Sequence, residues 1–220
     1  MDIAIVLYDR FTALDAIGPY EVLSRVPGAR ITFVAEHAGP VRTDNGMLTL
    51  IAERSLAEVA HPDILLVPGG PGEVAARAGG AVLEWVRTAD ETSTWTTSVC
   101  TGSLILAAAG LLQGRRATGH WLAMDELARL GATPVAERVV IDGKIVTAAG
   151  VSAGIDMALT FVAQIAGETV AQAIQLGIEY DPQPPFRAGS PAQAPAEVVE
   201  LVRAASRFSA EQEHAAAGGA

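Results

Sequence analysis

The sequence predicts one α/β domain in which helices cover both faces of a mixed, mostly parallel sheet. Buried-looking apolar runs recur along the chain, helical patterns lie between several of them, and two hairpin signals interrupt the alternation. With 220 residues, half of them hydrophobic, the chain can bury one substantial core, and its composition calls for no second. The domain is placed at residues 1–208, with 209–220 expected to form a disordered tail.

The elements follow in order. Ile3–Tyr8 reads as the first strand, Ala13–Arg25 as the first helix and Ile31–Ala35 as the second strand. Asp44-Asn45-Gly46, between Val41 and Leu48, signals a hairpin, because Asn-Gly tolerates the left-handed backbone of a tight turn. Ile64–Pro68 is an unbroken apolar run, as a strand covered on both faces requires, and Gly80–Ala89 reads as a helix. Thr94–Val99 is rich in β-branched and aromatic residues and gives way to a helix over Thr101–Ala109. A helix is expected over Trp121–Leu130. Asp142-Gly143 then marks a second hairpin between Val139–Ile141 and Lys144–Thr147. Helices over Ser152–Ile165 and Thr169–Ile178 follow. Asp181-Pro182-Gln183-Pro184-Pro185-Phe186 cannot continue a helix and is expected to run along the surface. A last helix is read from Ala194 to about Arg207.

Charge and composition exclude several functions. A net charge of −10 disfavours nucleic acid and acidic membrane surfaces as partners, and a small neutral ligand suits it better. No apolar run approaches a membrane span. The start lacks the basic and small-residue marks of an export signal, and one cysteine cannot close an intrachain disulfide, so a cytoplasmic setting is expected. No Cys, His, Asp or Glu cluster has metal-ligand spacing, and neither a Walker lysine nor a dinucleotide fingerprint is present.

Cys100 carries the first chemical signal. It stands where strand pattern changes to helix pattern, and Gly102 with the small residues Ser98, Thr101 and Ser103 permits the close approach of a tight elbow. Backbone dipoles at the helix start are expected to favour the thiolate. Asp15 lies one turn into the first helix in an apolar setting, while Glu21, the rival carboxylate, lies deeper in the same helix. Strand ends of an open parallel sheet share one crevice, so Asp15 and Cys100 are expected to meet there. A carboxyl beside a thiolate in such a cleft keeps its proton longer than usual and can act as an acid. Pro68-Gly69-Gly70-Pro71-Gly72 ends a strand at the same crevice, and is read as a cradle with the Gly70 N–H aimed at charge on the substrate. Thr101 is expected to add a second donor. His120 is a candidate for the pocket edge, with capping of its own helix as the plainer reading. His37 and His61 should face solvent, and His214 lies in the tail. Trp121, Tyr20 and Phe186 are candidates for pocket walls, with core packing as the plainer role for each.

Pro68-Gly69-Gly70, Ser98-Val99-Cys100-Thr101-Gly102-Ser103, the run from Leu111 to Thr118, and Val151-Ser152-Ala153-Gly154-Ile155-Asp156 together resemble the PfpI-like thiol superfamily, and within it the isonitrile hydratase group. The likeness runs from about Asp2 to Ala196 and takes in Glu179-Tyr180 and Pro184-Pro185-Phe186. It implies a flavodoxin-like three-layer sandwich with a nucleophile elbow, a homodimer and no cofactor. It further implies Cys100 as nucleophile, Asp15 as acid and base, Thr101 as a pocket residue binding both acid and substrate, and an isonitrile as the small-molecule substrate, hydrated to an N-substituted formamide through a cysteine thioimidate. Protease-like members place histidine after the cysteine where this chain has Thr101, and many members place glutamate where it has Asp15. Ligand-sensing domains of transcription regulators share the Leu14-Asp15-x-x-Gly18-Pro19 text. Hydration of 2-oxoaldehydes in the manner of a glyoxalase, and a non-catalytic ligand or redox sensor, stand as the alternatives.

Overall fold

In the computed structural model, residues 1–206 are described. A seven-stranded sheet organises them, in the order β10-β11-β7-β6-β1-β2-β5. Its members are β1 Asp2–Val6, β2 Arg30–Ala35, β5 Arg54–Ser55, β6 Ile64–Val67, β7 Trp95–Val99, β10 Val139–Asp142 and β11 Ile145–Ala148. All neighbours pair in parallel except β10, which runs antiparallel to β11 at one edge. The central strands β6 and β1 are almost wholly buried, which is why their sequences show no polar alternation.

Two groups of helices complete the sandwich. One is formed by α1 Ala13–Leu23, α6 Ala153–Ala166 and α7 Glu168–Gly177; the other by α2 Glu73–Arg77, α3 Ala81–Thr92, α4 Gly102–Ala108 and α5 Met124–Arg129. Small residues let α1 and α6 approach closely. A methyl group at Gly154 would lie 3.0 Å from the Pro19 ring, and one at Gly18 would lie 3.1 Å from Ile155. Pro19 sits inside α1 and has no N–H to give to the carbonyl of Asp15.

The sequence expectation of a mostly parallel α/β sandwich holds, with differences of detail. The Asp44-Asn45-Gly46 hairpin forms between β3 Gly39–Arg42 and β4 Thr49–Ala52, but as a separate two-stranded ribbon outside the main sheet. The expected helix over 121–130 is split into a 3-10 turn, Trp121–Ala123, followed by α5. The short pair β8 Arg116–Ala117 and β9 Thr133–Pro134 was not expected, and neither was α2, whose five residues are too few to show a helical period. The last helix, α8, spans Ala196–Ala204. Arg207, His214 and the expected tail lie outside the described residues.

Because β1, β6 and β7 run in parallel, they deliver their following loops to one edge of the sheet. Those loops are residues 7–12, 68–72 and the turn at Cys100. No helix among the described residues is long and apolar enough to cross a membrane.

Candidate active site

Cys100 joins β7 to α4 with φ at 59°, a left-handed conformation that costs a residue with a Cβ about 1 kcal/mol or more. Surrounding groups hold it there. Its N–H is shared between the carbonyls of Ala148 and Ala149 at 3.1 and 3.0 Å, and Ser103 Oγ donates to its carbonyl at 3.1 Å. A methyl on Gly102 would come within 2.1 Å of the Val67 carbonyl, and one on Gly119 within 2.9 Å of the Cys100 carbonyl. The elbow therefore forms only because small residues stand at both positions. The turn does not push the thiol out into solvent: Cys100 is 5% exposed.

Asp15 is fully buried, and α1 brings it to the same place. The Gly69 N–H donates to its Oδ2 at 2.8 Å. Its Oδ1 is buried without a well-aligned hydrogen-bond donor, although the Cys100 thiol lies near enough to couple to the carboxyl. Burial raises the pKa of Asp15 to about 7 against the pull of the Gly69 N–H and the thiol, and the charge of Asp44 adds to the rise.

The expectation that backbone dipoles favour the thiolate is corrected. Burial raises the Cys100 pKa well above the ordinary thiol value and the charge of Asp15 raises it further, while the N–H groups of Val151 and Thr101 offset only part. The helix behind the turn is one of the shortest, at seven residues. Two anions cannot share so dry a site, so once Asp15 has ionised, above about pH 7, the thiol keeps its proton.

Thr101 is buried beside both. Its Oγ1 accepts the Gly70 N–H at 2.9 Å, which corrects the reading of Gly70 as a donor aimed at substrate. Gly69 is spoken for in the same way by Asp15. The glycine loop thus grips the acid and Thr101 rather than offering an empty cradle. Gly69 leaves no room for a side chain between the acid and Thr101: a methyl there would stand 2.5 Å from Thr101 N, 2.7 Å from Thr101 Oγ1 and 2.9 Å from Asp15 Oδ2. Asp15 and Thr101 therefore converge within the space of one absent methyl group.

His120 lies at the rim of the elbow. Gly119 before it presses on the Cys100 carbonyl, and a methyl at Gly150 would meet its Cδ2 at 2.9 Å. Its Nδ1 accepts the Leu122 N–H at 3.4 Å, a long capping bond on the 3-10 turn. The ring stacks on Trp121 at 6.0 Å, and the guanidinium of Arg203 from α8 lies over the Trp121 ring at 5.7 Å.

Other candidates are placed elsewhere. Tyr20 packs on Phe33 of β2 at 5.4 Å between ring centroids, which corrects its reading as a pocket wall. Phe186 is 77% exposed and lies outside the core of this chain. Glu21 is exposed and pairs with Arg25 at 2.7 Å, so it does not compete with Asp15. His37 and His61 face solvent. Two contributors had no assigned role from sequence: the Val151 N–H directed at the sulfur, and Asp44. Among the described residues, no group of three or more His, Cys, Asp or Glu side chains is placed to hold a metal ion.

The DJ-1/PfpI family pattern matches residues 1–164. An isonitrile hydratase of Pseudomonas putida is 42% identical over 203 residues, covering 92% of this chain and 89% of the relative. The HTH-type transcriptional regulator CdhR of Pseudomonas aeruginosa is 34% identical over 164 residues, 72% of this chain but 48% of the regulator. The crystal structure of a THiJ/PfpI family protein from Pseudomonas syringae superimposes with a TM-score of 0.89 at 40% identity, covering 92% of this chain and 84% of that one.

Proposed function

The chain belongs to the DJ-1/PfpI family, and on that premise we propose that it is a lyase that adds water to isonitriles, with Cys100 and Asp15 as its reacting groups. The observation that carries this reading is its 42% identity to the isonitrile hydratase of Pseudomonas putida over 92% of its length. The juxtaposition of Asp15, Cys100 and Thr101 supports the chemistry.

The terminal carbon of an isonitrile is unusual in taking a nucleophile and a proton at the same atom. A thiol and a carboxylate that share one proton answer that demand. Above about pH 7 the Asp15 carboxyl is ionised and the shared proton rests on sulfur. Asp15 takes that proton as the Cys100 sulfur bonds to the terminal carbon, then delivers it to the same carbon, leaving a neutral thioimidate. Water next attacks the thioimidate carbon while Asp15 takes its proton and passes it to the nitrogen. Collapse breaks the carbon–sulfur bond, releases the N-substituted formamide and returns the hydroxyl proton to sulfur. Thr101, held by Gly70, confines the carboxyl, and burial keeps competing water away from the sulfur.

The test is turnover of an alkyl isonitrile to its formamide, with methylglyoxal assayed in parallel. Wild-type protein should hydrate the isonitrile, Cys100→Ala should not, and intact mass spectrometry should trap a thioimidate adduct on Cys100. Equal rates for wild type and variant would overturn the reading, as would turnover confined to methylglyoxal. We further propose that the chain pairs as a homodimer. Exposed apolar side chains at Met47 and Ile51 on the β3–β4 ribbon, and at Leu14 on α1, support this, and light scattering tests it.

A further inference from the structure

We propose that Asp44, in the turn of the β3–β4 ribbon, is a positioning residue that sets the basicity of Asp15 through its negative charge and its tether to Thr12; this rests on Asp15 serving as the proton relay described above.

The geometry begins at the start of α1. Thr12 occupies the N-cap position, yet its side chain caps nothing in the helix. Its hydroxyl instead donates to Asp44 Oδ2 at 2.9 Å. The Asp44 N–H donates to the Phe11 carbonyl at 2.9 Å, the Arg10 N–H donates to the Arg42 carbonyl at 2.9 Å, and Thr43 bridges to Phe11. A ribbon that takes no part in the main sheet is thus fastened by its turn to the loop that launches α1. From that loop the Asp15 N–H closes the first turn on the Thr12 carbonyl at 3.1 Å, and the Thr12 N–H donates to the Gly69 carbonyl at 2.8 Å. Gly69 is the residue that grips Asp15.

The charge of Asp44 is left largely uncancelled. Its Oδ1 accepts the Asn45 N–H at 2.8 Å, and among the described residues its carboxylate forms no ion pair. The other charged groups on elements around Asp15 are engaged or turned to solvent. Glu21 pairs with Arg25, Glu73 of α2 with Arg77, and Asp156 of α6 with Arg138. Asp9 and Arg10 are exposed, and Arg42 of the ribbon reaches the Gly46 carbonyl. Among the described residues, Cys100 is the titratable group that hydrogen-bonds to Asp15, and His120 stands at the rim. The negative charge of Asp44, half-buried in the ribbon turn, disfavours ionisation of the buried Asp15. A carboxylate so burdened is a stronger base, and a stronger base takes the thiol proton more readily.

Two opposed effects follow from removing the charge. In Asp44→Asn, Asp15 ionises at lower pH, so the acid limb of kcat/KM against pH moves down by roughly 0.3 unit or more. The plateau above it falls, because the weaker base leaves the proton on sulfur for a larger share of the time. A general loosening of the fold would lower the plateau without moving the limb downwards. Asp44→Ser supplies a second neutral variant, and Asp44→Glu, which keeps the charge, should retain the wild-type limb.

The same profiles are recorded for alkylation of Cys100 by iodoacetamide, which needs no isonitrile. A downward limb shift in both neutral variants, absent in Asp44→Glu, supports the proposal. A limb that stays in place in the neutral variants, or that moves equally in Asp44→Glu, overturns it. If the alkylation profile shifts as stated while no protein hydrates the isonitrile, the reaction assignment fails and the role of Asp44 stands.

Discussion

The Gly69 N–H donates to Asp15 Oδ2 at 2.8 Å, and the space where a Gly69 side chain would begin is filled by Asp15 Oδ2 and by the backbone N and Oγ1 of Thr101. One residue in the loop after β6 therefore holds the acid from α1 and abuts the residue that follows the elbow. Its lack of a side chain is what lets the three elements meet. The backbone of Gly69 does not lie in the left-handed region, so any effect of adding a side chain is steric.

Gly69→Ala isolates that contact. The added methyl would stand 2.5–2.9 Å from atoms of both Thr101 and Asp15, closer than real carbon contacts allow. Relief requires Asp15 to withdraw from Cys100 or the elbow to shift. A displacement of about 1 Å in a reacting group costs on the order of 100-fold in rate. Isonitrile turnover by Gly69→Ala should fall by about that factor, while circular dichroism reports an intact α/β fold. Near-wild-type kcat would show that Asp15 tolerates displacement.

Asp15→Asn separates catalysis from stability, with opposite signs. Without an exchangeable proton on the relay, turnover should drop by about 100- to 10,000-fold. Stability should rise instead. The folded-state pKa of Asp15, about 7, lies above the ordinary carboxyl value of 3.8. The folded state therefore holds the proton more tightly, and wild-type stability falls as pH rises from below 4 through about 7. The neutral amide escapes that loss. At pH 8 urea denaturation should find Asp15→Asn more stable than wild type, by at most about 4 kcal/mol. The gap should close towards pH 4. A variant less stable than wild type at pH 8 would mean that the site solvates the carboxylate better than its burial implies.

What could be read from the amino acids, and what could not, divides by the range of the interaction. The elbow was legible because a strand pattern ends and a helix pattern begins around Cys100. The meeting of Asp15 with Cys100 was legible because parallel strands deliver their loops to one edge of a sheet. The roles of Gly69 and Gly70 were misread because the partners of a backbone N–H are set by tertiary approach and leave no local trace. Tyr20 went astray through geometry: five positions along α1 turn a side chain about 140° away from Asp15, towards Phe33. Asp44 was legible only as a turn residue, since its tie to Thr12 spans 32 positions.

Arg77 offers a test of how the glycine loop is held to the opposite rim. On α2, just beyond Gly70-Pro71-Gly72, Arg77 Nε lies 2.9 Å from the fully buried carboxylate of Glu73, and its Nη1 lies 2.6 Å from Glu126 on α5. The arginine so links the helix after the glycine loop to the helix after His120 and Trp121. Replacing it with methionine keeps much of the apolar stem and removes the charge. Glu73 then loses the cation beside it, and breaking a buried ion pair costs about 3–5 kcal/mol. Urea denaturation of Arg77→Met at pH 7 should show a loss of that size. The Arg77→Met/Glu73→Gln pair should recover a large part of it, because the amide carries no buried charge. A loss below about 1 kcal/mol in the single variant would place the pair among weakly coupled surface contacts.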